Sequence, residues 1–255
     1  MIVSHEHRYV FVQMPHTGST AVASELIENY GGEHVLWKHA HYSDFLRAAS
    51  ADERRYFAFT AIRHPLDEAV SIYTKIKTDH QGRMTTNADA GVSRKDRQLH
   101  RWISDSGADF GAFLRRAYRM PYDKWLRGER RRFDYVMRFE ALTEDFASVL
   151  QRLGIQPVRP LPWVNRTGGR ETDFTSYYTP QIRPRARAIF GPYMLDAGFE
   201  FPEGWTAAVP LPSRLLFRAL APIRRLYWGR IKWLGRRSRL RGGRALSRPL
   251  SRAAG

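Results

Sequence analysis

The segment Arg8-Tyr-Val-Phe-Val-Gln13 is dense in β-branched and aromatic residues, breaks at Met14-Pro-His-Thr-Gly-Ser-Thr20, and resumes with Val22, Leu26 and Ile27 at helical spacing before Gly31-Gly32. That order predicts a buried strand, a tight loop and a glycine-capped helix. No other feature narrows the fold as much. A loop between a strand end and a helix start aims free backbone N–H groups and the positive end of the helix dipole at one spot. Gly18 lets the backbone approach a ligand, and Thr17, Ser19 and Thr20 add hydroxyl donors. Pro15, His16, Thr17, Gly18, Ser19 and Thr20 are therefore candidate ligands of a phosphate-like anion. Taken alone, the same loop is equally compatible with a plain turn.

The loop lacks the Gly-Lys-Ser/Thr ending of a Walker A motif, so the lysine and metal-binding hydroxyl of an ATPase or kinase are not presented here. Val35-Leu36-Trp37 predicts a second short strand, Tyr56 to Ile62 a third, and Phe133 to Arg138 a fourth. Helices are predicted after each: Pro65 to Ile76, with Asp67 and Glu68 placed against the dipole, and Leu142 to Leu153. Pro180 to Leu195 reads as the last helix of the domain, with Pro184 interrupting its first turn or displacing its start. Strands alternating with helices imply an α/β fold with a mainly parallel central sheet flanked by helices. Thr78 to Arg97 is polar without periodicity and reads as a long mobile loop, a lid.

Of 255 residues, 43% are hydrophobic, enough for one sizeable core, and the absence of cysteine excludes disulfides and thiolate chemistry. The N-terminal residues lack a secretory pattern and no run approaches the length of a membrane span, which makes the cytoplasm the expected location. The net charge is +17, yet 13 of the 42 Lys and Arg residues and none of the 25 Asp and Glu residues lie from Arg214 onward, leaving only +4 before it. Nucleic-acid binding by the folded part is disfavoured, while a mildly positive domain suits an anionic cosubstrate.

Arg63 follows the third strand, and Ser71 lies two helical turns further on, so both are placed to face a second phosphate. Pro15-His-Thr-Gly-Ser-Thr20 resembles the 5′-phosphosulfate loop of the sulfotransferases, usually Pro-Lys-Thr/Cys-Gly-Ser/Thr-Ser/Thr. Arg63-His-Pro-Leu-Asp-Glu-Ala-Val-Ser-Ile-Tyr73 resembles their 3′-phosphate element. Arg138-Phe-Glu-Ala-Leu142, Asp145-Phe146, Leu153-Gly154-Ile155 and Tyr193 with Asp196-Ala-Gly-Phe199 extend the resemblance over about Tyr9 to Pro202. It implies a P-loop-like three-layer fold using 3′-phosphoadenosine-5′-phosphosulfate as cosubstrate, without a metal, in a domain over 1–205 followed by a basic extension over 206–255. Arg63 and Ser71 would hold the 3′-phosphate, with Arg166 and Arg170 as further candidates. His16 stands where the family has its loop lysine, and would assist departure of the nucleotide when protonated.

The acceptor hydroxyl needs a base. Lys38-His-Ala-His-Tyr-Ser-Asp-Phe45 follows the second strand and resembles the His-containing strand end of the uronyl 2-O-sulfotransferases, which puts His39 in that role and His41 second. A His-x-His pair also suits a metal, but no third ligand is evident. The resulting reading is sulfation of a hydroxyl on a carbohydrate or glycolipid. A kinase-like nucleotide enzyme and a noncatalytic anion- or membrane-binding protein are the competing classes.

Leu216, Leu220, Ile223, Tyr227, Ile231 and Leu234 share one helical stripe, and Arg214, Arg218, Arg225, Lys232 and Arg236 the opposite one. With Trp228 and Trp233 at the boundary, residues 214–240 suit an anionic membrane surface, peripheral on the inner face. Pro222 is expected to kink or split that helix.

Overall fold

The computed structural model describes residues 1–86, 92–124, 132–162, 171 and 173–227. In chain order the strands are β1 (Ile2–Ser4), β2 (Tyr9–Val12), β3 (Glu33–His34), β4 (Phe57–Ile62) and β5 (Tyr135–Arg138). The helices are α1 (Ser19–Asn29), α2 (Tyr42–Ala48), α3 (Pro65–Lys77), α4 (Arg94–Ser106), α5 (Phe110–Ala117), α6 (Leu142–Arg152), α7 (Arg183–Ala197) and α8 (Leu211–Leu226). They divide into two compact units. One comprises 1–63, 124–165 and 221–255, and the other 64–123 and 166–220.

All five strands lie in the first unit and form one sheet of order β3-β1-β2-β4-β5. β2 pairs parallel with β4, and β4 with β5, while β1 alone runs against its two neighbours. This is the mixed α/β architecture with a mainly parallel sheet that the alternating pattern predicts. Both faces are covered, so the strands alternate between two cores rather than between core and water. Tyr9, Phe11, Phe59 and Ala61 face α1 and α6 through Val22, Leu26, Phe146 and Val149. Val10, Val12 and Ala58 face α2 through Tyr42 and Phe45.

The second unit is helical. Pro65 opens α3 at its first position, and Tyr73 on α3 donates its hydroxyl to the Ala108 carbonyl at 2.9 Å. Tyr178 donates to the Leu66 carbonyl at 2.9 Å and meets Phe110 edge to face at 4.9 Å. Each phenol thus buries a large ring and still satisfies its O–H.

Three expectations change. Val35-Leu36-Trp37 is not a strand: pairing with β1 is limited to Glu33–His34, and Leu36 turns through the left-handed region at φ 59°. These three side chains instead pack at the edge of the second core. β1 was not anticipated at all, because three residues carry too little pattern to register. Finally, Thr78 to Arg97 is not one open loop. It holds a short 3₁₀ turn at His80–Gly82 and the first turn of α4, where Ser93 accepts from the Asp96 N–H at 3.1 Å as an N-cap. Residues 87–91 lie outside the described residues. α7 begins at Arg183 with Pro184 in its first turn, so of the two expectations for Pro184 its start is displaced and its first turn is not interrupted. α8 runs through Pro222 as one helix. The bond Pro222 cannot donate would have gone to the carbonyl of Arg218, an exposed position open to solvent.

Candidate functional site

β2 delivers the chain into the Gly/Ser/Thr loop and α1 takes it away. His16 at φ 63° and Gly18 at φ 70° both adopt the left-handed region, and Gly18 is the N-cap of α1. For Gly18 the requirement is double. A Cβ there would lie 2.6 Å from Leu142 Cδ2 and 3.3 Å from the Phe139 ring. Those residues sit just beyond β5, so the turn at Phe139–Leu142 forms a floor beneath the loop. Asp145 secures that turn, accepting from the Arg138 N–H at 2.6 Å and the Tyr135 hydroxyl at 2.9 Å. Gly18→Ala is expected to cost about 2–5 kcal/mol, the sum of left-handed strain and overpacking. Denaturant unfolding measures it, and an unchanged midpoint would refute this account of the loop.

The loop is fastened from within and from outside. Thr17 Oγ1 and Ser19 Oγ, both buried, donate to the Met14 carbonyl at 3.0 and 2.7 Å. Pro15 is half-buried, and His16 and Thr20 are exposed. Among the described residues three cations reach the loop. Arg63, following β4, donates from Nη1 to the His16 carbonyl at 3.3 Å, with its guanidinium 4.1 Å above the Phe139 ring. Lys38 Nζ donates to Thr20 Oγ1 at 3.2 Å, and Lys124 Nζ to the Pro15 carbonyl at 3.0 Å. Lys124 is only 7% exposed.

His39 is half-buried, and its Nδ1 lies 2.9 Å from the Gln13 carbonyl, at the entrance to the same loop. Burial lowers its pKa. The bond to Gln13 opposes that shift, while the charges of Lys38, the Met1 amino group and Lys124 add to it. His41 is placed differently. It is the buried N-cap of α2, with its ring accepting from the Asp44 N–H while its own N–H donates to Asp44 Oδ2 at 3.0 Å.

The first unit therefore brings together Pro15 to Thr20, Arg63 and His39. Ser71 belongs to the second unit, fully buried on α3, and Arg166 and Arg170 lie outside the described residues. Sequence reasoning missed Lys38 and Lys124. Adjacency to His39 could have flagged Lys38, whereas Lys124 stands 109 residues from Pro15 and carried no local signal. Among the described residues no group of three His, Asp or Glu is placed to hold a metal, and no helix is long and apolar enough to cross a membrane.

No curated protein and no solved structure matches the chain. The model of the sulfotransferase family matches residues 1–190, a span that contains β1 to β5, the Gly/Ser/Thr loop, Arg63, His39 and both lysines. With that agreement over most of its length, the chain belongs to the sulfotransferase family and is an enzyme of sulfuryl transfer.

Proposed function

We propose that the protein moves a sulfuryl group from 3′-phosphoadenosine-5′-phosphosulfate to a hydroxyl of a carbohydrate or glycolipid, with His39 as base. The observation that carries this reading is the bond between His39 Nδ1 and the Gln13 carbonyl. A carbonyl oxygen only accepts, so Nδ1 holds the proton and Nε2 keeps its lone pair. The lowered pKa favours that neutral ring near pH 7. His41, with its ring engaged in capping α2, is the weaker choice.

In the reaction the acceptor oxygen attacks sulfur in line while the bond from sulfur to the bridging phosphate oxygen breaks. The bonding pair departs on the phosphate, and His39 Nε2 takes the hydroxyl proton. The first turn of α1 and the loop N–H groups suit the phosphosulfate, and His16 in its protonated form would donate to the bridging oxygen. Arg63 and Ser71 are assigned to the 3′-phosphate, and Arg166 and Arg170 to an outer clamp.

The second unit contains a cavity of about 490 Å³ whose lining includes Tyr73, Phe110, Tyr177, Lys77, Arg115 and Gln181. Aromatic faces beside polar and cationic groups suit a sugar ring, which supports the carbohydrate assignment. α8 exposes Leu211, Leu215, Ile223 and Leu226 alongside Arg214, Arg218 and Arg225. That amphipathic surface supports peripheral contact with an anionic membrane. The full chain is expected to sediment with phosphatidylserine vesicles and not with neutral ones, and equal partition would refute the contact.

Calorimetry with 3′-phosphoadenosine-5′-phosphate, AMP, and ATP with Mg²⁺ tests the donor. The bisphosphate is expected to bind at least about 10-fold tighter than AMP, one charge-assisted contact's worth. Preference for ATP with Mg²⁺ would return the kinase reading. Nucleotide binding without transfer to any sugar acceptor would leave a noncatalytic binder.

A further inference from the structure

The loop that this reading assigns to the phosphosulfate carries no lysine or arginine of its own: Met14-Pro-His-Thr-Gly-Ser-Thr20 offers His16 as its one titratable side chain. An imidazole supplies at most one positive charge, and only when protonated. The 5′ side of the donor brings one negative charge on phosphate and another on sulfate, and Arg63, although it donates to the His16 carbonyl, is assigned to the 3′-phosphate, so backbone dipoles and His16 leave the 5′ side short of positive charge. The fold makes up the difference from elsewhere. Lys124 Nζ sits 3.0 Å from the carbonyl of Pro15, where the loop begins, and Lys38 Nζ sits 3.2 Å from the hydroxyl of Thr20, where it ends.

The two ammonium groups therefore bracket the four residues His16 to Ser19. They reach the loop from separate segments, one just before α2 and the other immediately before residues 125–131. Their environments also differ. Lys124 is buried, so its field is weakly screened, while Lys38 is exposed and able to follow a ligand. The fields of both extend to His39, which places them beside the candidate base as well as the loop.

We propose that Lys124 and Lys38 are the cations of the phosphosulfate loop, Lys124 fixing positive charge at its Pro15 end and Lys38 at its Thr20 end, so that together they select nucleotides bearing negative charge on the 5′ side. The inference rests on the donor reading above. Lys124 is a positioning residue that acts through the Pro15 carbonyl and its field, and Lys38 is the one placed to meet the ligand.

Calorimetry on Lys124→Met and Lys38→Met, each with 3′-phosphoadenosine-5′-phosphate and with adenosine 3′-monophosphate, tests it. Each lysine variant is expected to bind the bisphosphate about 10-fold or more weakly, as loss of one charged contact implies. Adenosine 3′-monophosphate, which lacks the 5′ group, should bind within twofold of wild type. Lys124→Arg should recover most of the loss. A parallel loss for both nucleotides would show a merely structural role and overturn the inference, as would unchanged bisphosphate affinity in both lysine variants. If Lys124→Met does not fold, the exposed Lys38→Met decides the matter in the same two measurements. A wild-type protein that binds neither nucleotide would overturn the donor reading itself, and this inference with it.

Discussion

Replacement of His39 by alanine is expected to lower kcat by about 10²–10⁴-fold, the usual contribution of a positioned general base. Affinity for 3′-phosphoadenosine-5′-phosphate should change little, because the residue is assigned to the acceptor proton and not to the nucleotide. The pH profile gives an independent check. Burial, helped by the neighbouring positive charges, holds the imidazole pKa below its ordinary 6.5. The neutral, active form therefore persists as pH falls, and the acid limb of kcat/KM lies below pH 6.5 instead of at it. The same shift affects stability. Between the folded pKa and 6.5 the unfolded chain holds the proton and the folded chain does not, so the contribution of His39 to stability declines as pH drops through that window. His39→Ala should remove the acid limb and that decline together. An alanine variant with wild-type kcat would end the assignment.

Arg63→Ala is expected to weaken binding of 3′-phosphoadenosine-5′-phosphate by roughly 100-fold, as loss of a forked, charge-assisted contact implies. AMP should lose only a few-fold. Arg63 is 5% exposed, and its guanidinium sits 4.1 Å from the centre of the Phe139 ring and already donates to the His16 carbonyl, so its position is set before a ligand arrives. Five N–H donors in one plane are enough to hold a loop carbonyl and a phosphate together. The two parts separate experimentally. Loss of the carbonyl contact affects every nucleotide, whereas loss of the phosphate contact affects only those phosphorylated on the 3′ side. Arg63→Lys keeps the charge without the planar fork or the stacking and should fall between. Equal losses for the bisphosphate and AMP would confine Arg63 to supporting the loop.

Local pattern accounted for the parts of the fold that depend on near neighbours. β2, the loop and α1 were legible because a hydrophobic run, a Gly/Ser/Thr break and a 3.6-residue period follow one another without interruption. The same holds for β4 into α3 and β5 into α6. β1 and β3 were not, because strands of three and two residues owe their existence to a partner, not to their own side chains. α4 was hidden by charge. Only Leu99 and Ile103 of its thirteen residues are buried, so its clearest signal was the Ser93 and Asp96 cap. At the site, Arg63 stood out because it directly follows a predicted strand, and His39 because the stretch Lys38 to Phe45 resembles the His-containing segment of the uronyl 2-O-sulfotransferases. Lys124 did not, since its place beside Pro15 arises only once the chain has returned to the sheet. The reason for the Arg138-Phe-Glu-Ala-Leu142 stretch was equally invisible until Phe139 and Leu142 were seen beneath Gly18.

That floor has a wider implication for how such a protein can change. The Gly/Ser/Thr loop and the turn at 139–142 are more than a hundred residues apart, yet the space beneath Gly18 is shared between them to within a single methyl group. Neither can drift independently: a bulkier residue in one must be answered by a smaller one in the other. Anyone transplanting the loop into a foreign scaffold inherits this obligation, since seven residues moved without their distant counterpart would collapse onto whatever they found below. The smallest portable unit of this site is discontinuous.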